Sequence, residues 1–162
     1  MIRAIMATDD NGGVSKNGSM PWPKNSSDLQ WFKKNTLNSV VIMGRLTWID
    51  PFMPTPLKGR INVLVTNQNE KNYSGVDEYI FGNLIDNVLE LSNRYTNKDI
   101  YIIGGPKVLN QLFGLIEEFY LTRIYGDFKC DKNIDLQKIQ ESMKMIRKIE
   151  NSKTCHFEIW KR

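Results

Sequence analysis

Four short, mainly apolar runs constrain the fold of this chain more than any other feature. They span residues 2–7, 40–43, 61–66 and 100–103. Runs of this length and composition are typical of strands buried on both faces of a parallel sheet. Segments with helix-start residues or helical periodicity separate them. This alternation predicts an α/β fold with a mainly parallel central sheet.

Four helices are expected in the intervening and following segments. Ser26-Ser27-Asp28 offers side chains that accept bonds from the free N–H groups of a helix start, so a helix is predicted from there through Lys34. Asn83 is expected to cap another helix, and shorter helices are predicted at 46–48 and 107–113. The apolar positions of the helix after Asn83 are Leu84, Ile85, Val88, Leu89 and Leu91.

Further strands are predicted at 79–81, 118–124 and 154–160. The mixed-charge stretch between the last two shows no helical pattern and is predicted to be non-helical. Two strands joined in this way indicate an antiparallel edge on an otherwise parallel sheet. No repeat or linker divides the chain, so a single domain, 1–162, is expected.

Composition excludes several classes of protein. No apolar run approaches the roughly 20 residues that span a bilayer. The N-terminal run breaks at Thr8-Asp9-Asp10 before a signal-like segment develops, so a cytoplasmic protein with a retained N-terminus is expected. Cys130, Cys155 and His156 do not have metal-ligand spacing, and no nucleophile pair is present. A reaction without a metal, whose difficult chemistry belongs to an organic cofactor, is therefore predicted.

The net charge of +4 comes from 22 basic and 18 acidic residues. The basic residues are scattered, whereas a duplex-binding protein more often carries a basic stripe. A solvated surface and a site for a small polyanion both fit this pattern.

Two glycine turns follow predicted strands and lead into predicted helices. They are Gly44-Arg45-Leu46-Thr47 and Gly104-Gly105-Pro106-Lys107. Free N–H groups at such junctions bind anions, although glycine is also simply what tight turns require. Neither turn is a dinucleotide fingerprint or a Walker loop. Together they favour a pyrophosphate-bearing ligand that spans two loops.

Asp28 has two possible roles. An acidic residue at this position can cap its own helix. It also lies beside Leu29 and one turn from Phe32, just after a long loop (9–24) that contains Trp22. A carboxylate in an apolar pocket has its pKa raised by desolvation, and it can bind two N–H donors of a flat, nitrogen-rich ring.

Five segments carry a family resemblance. They are Gly18-Ser19-Met20-Pro21-Trp22, Asp28-Leu29-Gln30-Trp31-Phe32-Lys33, Val41-Ile42-Met43-Gly44-Arg45-Leu46-Thr47-Trp48, Ile102-Ile103-Gly104-Gly105 and Tyr120-Leu121-Thr122-Arg123-Ile124. In their order and spacing they resemble dihydrofolate reductase over the whole chain. The resemblance implies an eight-stranded mixed sheet with four flanking helices, and NADPH-dependent reduction of 7,8-dihydrofolate. The implied partner is a small-molecule substrate, with no nucleic acid or membrane, and the implied state is a monomer.

The resemblance also implies roles for individual residues. Asp28 matches the acidic residue of the pterin pocket, Thr122 its hydroxyl partner, and Met20 and Trp22 a mobile catalytic loop. Arg60 matches the arginine that pairs with the glutamate α-carboxylate of folate. The implied substrate-binding residues are Ile5, Ala7, Asp28, Leu29, Phe32, Leu57, Arg60, Ile103 and Thr122. The implied cofactor-binding residues are Ala7, Val14, Gly44, Arg45, Leu46, Thr47, Thr66, Asn67, Ile103, Gly104, Gly105, Pro106, Lys107 and Val108.

Leu46, Pro106 and Leu109 depart from the family pattern at the cofactor end. Two alternative functions stay open at this point. One is a related reductase of the same fold, of the type that acts on a pyrimidine in riboflavin synthesis. The other is a basic binding module without catalysis.

Overall fold

The computed structural model describes residues 1–67 and 73–162. The strands within these residues are β1 (Ile2–Thr8), β2 (Gly13–Ser15), β3 (Val40–Gly44), β4 (Ile61–Val65), β5 (Glu78–Ile80), β6 (Ile100–Gly104), β7 (Glu118–Ile124), β8 (Lys132–Asn133), β9 (Lys144–Glu150) and β10 (Cys155–Lys161). The helices are α1 (Ser26–Thr36), α2 (Arg45–Trp48), α3 (Leu84–Arg94), α4 (Pro106–Leu112) and α5 (Leu136–Ser142), with a 3₁₀ turn at Phe113–Leu115. No helix within the described residues is long and apolar enough to span a bilayer.

Eight of the strands form one mixed sheet in the order β5-β4-β3-β6-β1-β7-β10-β9. The six strands from β5 to β7 pair in parallel, and β10 pairs antiparallel with both β7 and β9. The predicted α/β class and antiparallel edge are therefore confirmed. β2 and β8 form a separate two-stranded sheet.

The mixed-charge stretch between β7 and β10 was predicted to be non-helical, and this is wrong. Asp135 caps α5, because its side chain accepts a bond from the backbone N–H of Lys138. Ile139 is the buried residue of this short helix. β9 follows as the edge strand, and its residues are almost all exposed. An edge strand that is exposed to solvent on both faces has neither a run of apolar residues nor a regular alternation of apolar and polar residues. The sequence pattern therefore did not identify β9.

The central strands send alternate side chains into two separate apolar layers. Ile42 and Ile102 belong to one layer with α3 and α4, whereas Met43 and Ile103 belong to the other, which packs against Trp31 and Phe32 of α1. This alternation is what a strand buried on both faces requires. The carboxyl ends of the parallel strands meet at one edge of the sheet, and the glycine turns after β3 and β6 lie there.

Not every apolar position of α3 is buried. Leu84, Val88 and Leu91 pack into the core, but Ile85 is 45% exposed and Leu89 is 42% exposed. The buried stripe follows spacings of three and four residues, and the two exposed residues lie one position outside it.

Candidate active site

A cavity of about 330 Å³ lies beside α1 at the carboxyl ends of the parallel strands. Most residues assigned by resemblance meet in its wall. These are Ile5, Ala7, Val14, Met20, Asp28, Leu29, Phe32, Leu46, Thr47, Leu57, Arg60, Ile103, Gly104, Gly105 and Pro106. The structure therefore brings the Asp28 carboxyl group, the Arg60 guanidinium and two glycine turns around a single space.

Asp28 is free to face this cavity because another residue caps its helix. The N-cap of α1 is Asn25, whose side-chain oxygen accepts a bond of 3.1 Å from the backbone N–H of Asp28. The helix begins at Ser26, as predicted, but its cap is Asn25, and the carboxyl group of Asp28 has no capping role. Asp28 is only 9% exposed. Burial raises the pKa of the Asp28 carboxyl above its ordinary value of 3.8.

Thr122 lies beside Asp28, although it is outside the cavity wall itself. Its backbone pairs with Ala7 in the parallel β1–β7 ladder. The fully buried Thr122 hydroxyl opposes the effect of burial by lowering the pKa of Asp28. It forms no hydrogen bond of standard geometry with any described residue. A hydroxyl in this position can therefore bond a ligand and the carboxyl together.

The glycine turns form the second part of the site. β3 and β6 are adjacent, and Met43 pairs with Gly104. Gly104 has φ +136°, a Cβ there would lie 3.0 Å from Thr47 Oγ1, and a Cβ on Gly44 would lie 3.2 Å from a Val108 methyl group. The Gly104–Gly105 peptide bond is cis. Because Gly44, Gly104 and Gly105 have no side chains, the backbone is accessible where β3 and β6 end. A pyrophosphate group can bind to such exposed backbone N–H groups.

The remaining residues assigned to a cofactor surround this end without lining the cavity. They are Gly44, Arg45, Thr66, Asn67, Lys107 and Val108. Arg45 and Lys107 lie in the first turns of the short helices α2 and α4, and Lys107 is exposed. Pro106 begins α4, where the N–H that proline lacks has no helical partner in any case. These positions stay predictions.

Arg60 is held by a turn that sequence reasoning did not identify. The buried Asn62 side chain accepts a bond from the N–H of Leu57 and donates to the carbonyls of Leu57 and Arg60, at 2.9–3.1 Å. Arg60 Nη1 donates to Thr36 Oγ1 at 3.3 Å. Its Nε is buried and unbonded among the described residues, and burial lowers the pKa of the guanidinium. The sequence signal that could have indicated this turn is Asn62, a single amide side chain within the apolar strand β4.

Trp22 and Met20 occupy different places in the long loop. Met20 lines the cavity, whereas Trp22 is buried against Phe128, with ring centroids 5.9 Å apart. Trp22 therefore anchors the loop from behind. The carboxylate of Asp9, 1% exposed, holds the start of the loop by accepting bonds from the backbone N–H groups of Gly13 and Phe128.

The sequence pattern missed part of the cavity wall. The additional lining residues are Met6, Ser15, Gly18, Lys33, Asp50, Phe52, Met53, Pro54 and Lys132. Segment 50–54 has no periodicity, and its prolines only indicated irregular structure. Lys132 was missed because it lies in the mixed-charge stretch between the predicted strands 118–124 and 154–160.

Comparison with known proteins places this arrangement in context. The family model described as dihydrofolate reductase matches residues 1–162. A putative dihydrofolate reductase of Caenorhabditis elegans is 31% identical over 168 residues, covering 93% of this chain and 87% of that protein. Dihydrofolate reductase type 8 of Escherichia coli is 32% identical over 142 residues, covering 85% of this chain and 82% of the relative. The solved structure of Enterococcus faecalis dihydrofolate reductase, complexed with NADP(H) and RAB-propyl, has a TM-score of 0.84 at 24% identity and covers 100% of this chain and 96% of its own.

Proposed function

The chain belongs to the dihydrofolate reductase family, whose members reduce dihydrofolate with NADPH, and we propose that the cavity beside α1 is the active site for this reaction. The product is 5,6,7,8-tetrahydrofolate, and the enzyme is an NADPH-dependent oxidoreductase that supports one-carbon metabolism. The observation that carries the proposal is a buried carboxylate, Asp28, in a largely apolar cavity. The same cavity extends to the glycine cradle, which is formed by Gly44, Gly104 and Gly105.

Asp28 binds the pterin ring in this proposal. Its two oxygens accept bonds from N3 and the 2-amino group, which lie on one edge of the ring. In the complex the buried hydroxyl of Thr122 donates to the Asp28 carboxyl, whose pKa it lowers, and accepts from the same amino group. Ile5, Phe32 and Ile103 supply apolar walls for the flat ring.

The glycine cradle fits NADPH. Gly44, Gly104 and Gly105 leave room for the pyrophosphate to approach the backbone, and Thr47 Oγ1 lies close enough to bond to it. Bound NADPH supplies the hydride that is transferred to C6 of the pterin. Ala7, Val14 and Met20 close the space around the reacting rings and exclude bulk water.

The proton reaches N5 through a water molecule. Asp28 holds the opposite edge of the ring, so its carboxyl group does not reach N5 directly. The loop that carries Met20 lines the cavity and admits the water. Asp28 favours protonation of N5 because a negative charge in an apolar site stabilises positive charge on the ring.

Arg60 binds the other end of the substrate. Its guanidinium lines the cavity, and its Nε is unbonded among the described residues. A planar guanidinium suits a carboxylate because two N–H groups bond in parallel. The glutamate α-carboxylate of dihydrofolate is the matching group.

One assay tests the function. The absorbance of NADPH is followed with purified protein, with and without dihydrofolate, and with the pyrimidine substrate of the riboflavin-pathway reductase in parallel. We expect NADPH oxidation that depends on dihydrofolate alone. Oxidation with the pyrimidine only, or salt-sensitive DNA binding without any oxidation, would contradict the proposal.

The protein works as a cytoplasmic monomer in this proposal. Both cysteines are free thiols, which fits a reducing compartment. Light scattering coupled to gel filtration checks the monomer, with the chain mass of 18.8 kDa as the expected value.

A further inference from the structure

The tip of the active-site loop is a tight two-residue hairpin. Lys16 and Ser19 exchange backbone hydrogen bonds of 2.7 and 3.1 Å. Between them Asn17 has φ 50° and Gly18 has φ 82°. Positive φ at both central residues, with the sequence Asn-Gly, is the pattern of a type I′ turn. The hairpin is therefore a preformed unit, and its side chains have fixed directions.

Ser19 bonds across to the opposite side of the cavity. Its hydroxyl donates to Asp50 Oδ1 at 3.2 Å, and the same oxygen accepts a bond of 2.9 Å from the backbone N–H of Phe52. Gly18 and Met20, which flank Ser19, line the cavity, as do Asp50 and Phe52. The bond consequently joins the loop to the 50–53 segment over the space between them.

Asp50 is an unexpected residue for this place. A cavity that takes a phosphate-bearing cofactor and a carboxylate-bearing substrate gains nothing in affinity from another negative charge. No cation among the described residues forms an ion pair with Asp50. Its contacts are instead the two donors, one from its own turn and one from the loop. A carboxylate is the stronger acceptor for a hydroxyl, which accounts for an acidic side chain here.

We propose that Asp50 is a positioning residue that holds the active-site loop closed through Ser19 and so slows the release of NADPH. The proposal rests on the proposed function, because it takes the cavity to be the NADPH site. Opening the loop breaks the Ser19–Asp50 bond, while the bond from Phe52 stays within the 50–53 segment and is unaffected.

The test is the rate at which NADPH leaves the binary complex. The wild-type protein and the variants Ser19→Ala, Asp50→Ala and Asp50→Asn are loaded with NADPH and mixed with excess NADP⁺, and the loss of NADPH fluorescence is followed. A hydrogen bond of ordinary net strength corresponds to about fivefold, so Ser19→Ala and Asp50→Ala are expected to dissociate about fivefold faster. The double variant is expected to be no faster than Asp50→Ala, because Ser19 has already lost its acceptor in that variant.

Asp50→Asn separates the hydrogen bond from the charge. The amide oxygen still accepts from Ser19 but without the charge, so this variant is expected to release NADPH faster than wild type and more slowly than Asp50→Ala. Ser142→Ala, at the exposed end of α5, is the matched control and is expected to behave as wild type. Release of NADPH from Ser19→Ala at the wild-type rate would overturn the inference. A wild-type protein that binds NADPH but does not oxidise it with dihydrofolate would contradict the proposed function instead, and release rates would still decide the role of Asp50.

Discussion

Replacing Asp28 by asparagine keeps the shape of the side chain and removes its charge. The carboxylate is 9% exposed, so water does not take its place beside a protonated pterin. Removing one partner of a buried charge pair costs about 3–5 kcal/mol. At 1.36 kcal/mol per factor of ten, kcat/KM at pH 7 is expected to fall roughly 10²- to 5 × 10³-fold. The loss is expected to diminish in acid, where the substrate is already protonated.

The same substitution is expected to stabilise the folded protein at neutral pH. Burial raises the pKa of Asp28 above 3.8, so the folded state holds its proton more tightly than the unfolded state does. Ionisation of the carboxyl therefore opposes folding. The stability difference is absent below the unfolded pKa, grows as pH rises through the raised pKa, and is complete above it. Asp28→Asn thus gains stability over wild type as pH rises, while it loses activity.

The assay combines pH profiles of kcat/KM with urea unfolding. Asp86→Asn is the matched control, because Asp86 lies in the first turn of an 11-residue helix whose N-cap, Asn83, bonds its backbone N–H as Asn25 bonds that of Asp28. Asp86 is exposed, and its substitution is expected to change neither quantity. Turnover of Asp28→Asn within tenfold of wild type at pH 7, or a stability below that of wild type at neutral pH, would refute the reasoning.

Arg60→Lys is expected to raise the KM for dihydrofolate about tenfold with kcat retained, because an ammonium group cannot bond a carboxylate with a planar fork; a dihydropterin without the glutamate is the control substrate, and an equal effect on it would contradict the assignment. Gly13→Ala would place a Cβ 2.5 Å from the Cβ of Cys130, and it is expected to lower the free energy of unfolding by about 1–3 kcal/mol in urea. Gly114→Ala, which meets nothing within 4 Å, is its control. Burial, together with Asp9, raises the pKa of Cys130 from 9.0 to about 11. Alkylation at pH 8 is therefore expected to be roughly a hundredfold slower than for an ordinary thiol, and labelling at the ordinary rate would show that the thiol is not held protonated.

The parallel core was predictable from the sequence because its strands are buried on both faces. A run such as Val40–Met43 needs no partner to identify it, since few other environments accept four consecutive apolar residues. β9 was not predictable in this way, because its only adjacent apolar pair, Met145-Ile146, is flanked by basic residues. Most residues of this strand are exposed to solvent.

Site residues could be identified from the sequence where the residues that reveal them lie close together along the chain. Asp28 was identified from the sequence. Asn25, which caps α1 and so leaves the Asp28 carboxyl group free to face the cavity, was not. Asn62 and Asp50 were missed because their partners come from turns without any period. Side chains that meet across irregular segments follow no regular spacing in the sequence, so their contacts are seen only once the fold is known.

The central position of β1 has a consequence for how the chain folds. Ile2 pairs with Ile100, and Ala4 pairs with Phe119, so both neighbours of the first strand lie far along the chain. Closing loops of this length is costly in entropy, and folds rich in such distant pairings fold slowly. During synthesis at roughly 5–20 residues per second, β1 stays unpaired for several seconds before either neighbour exists. β1 thus remains an unpaired apolar strand until β6 and β7 have been synthesised.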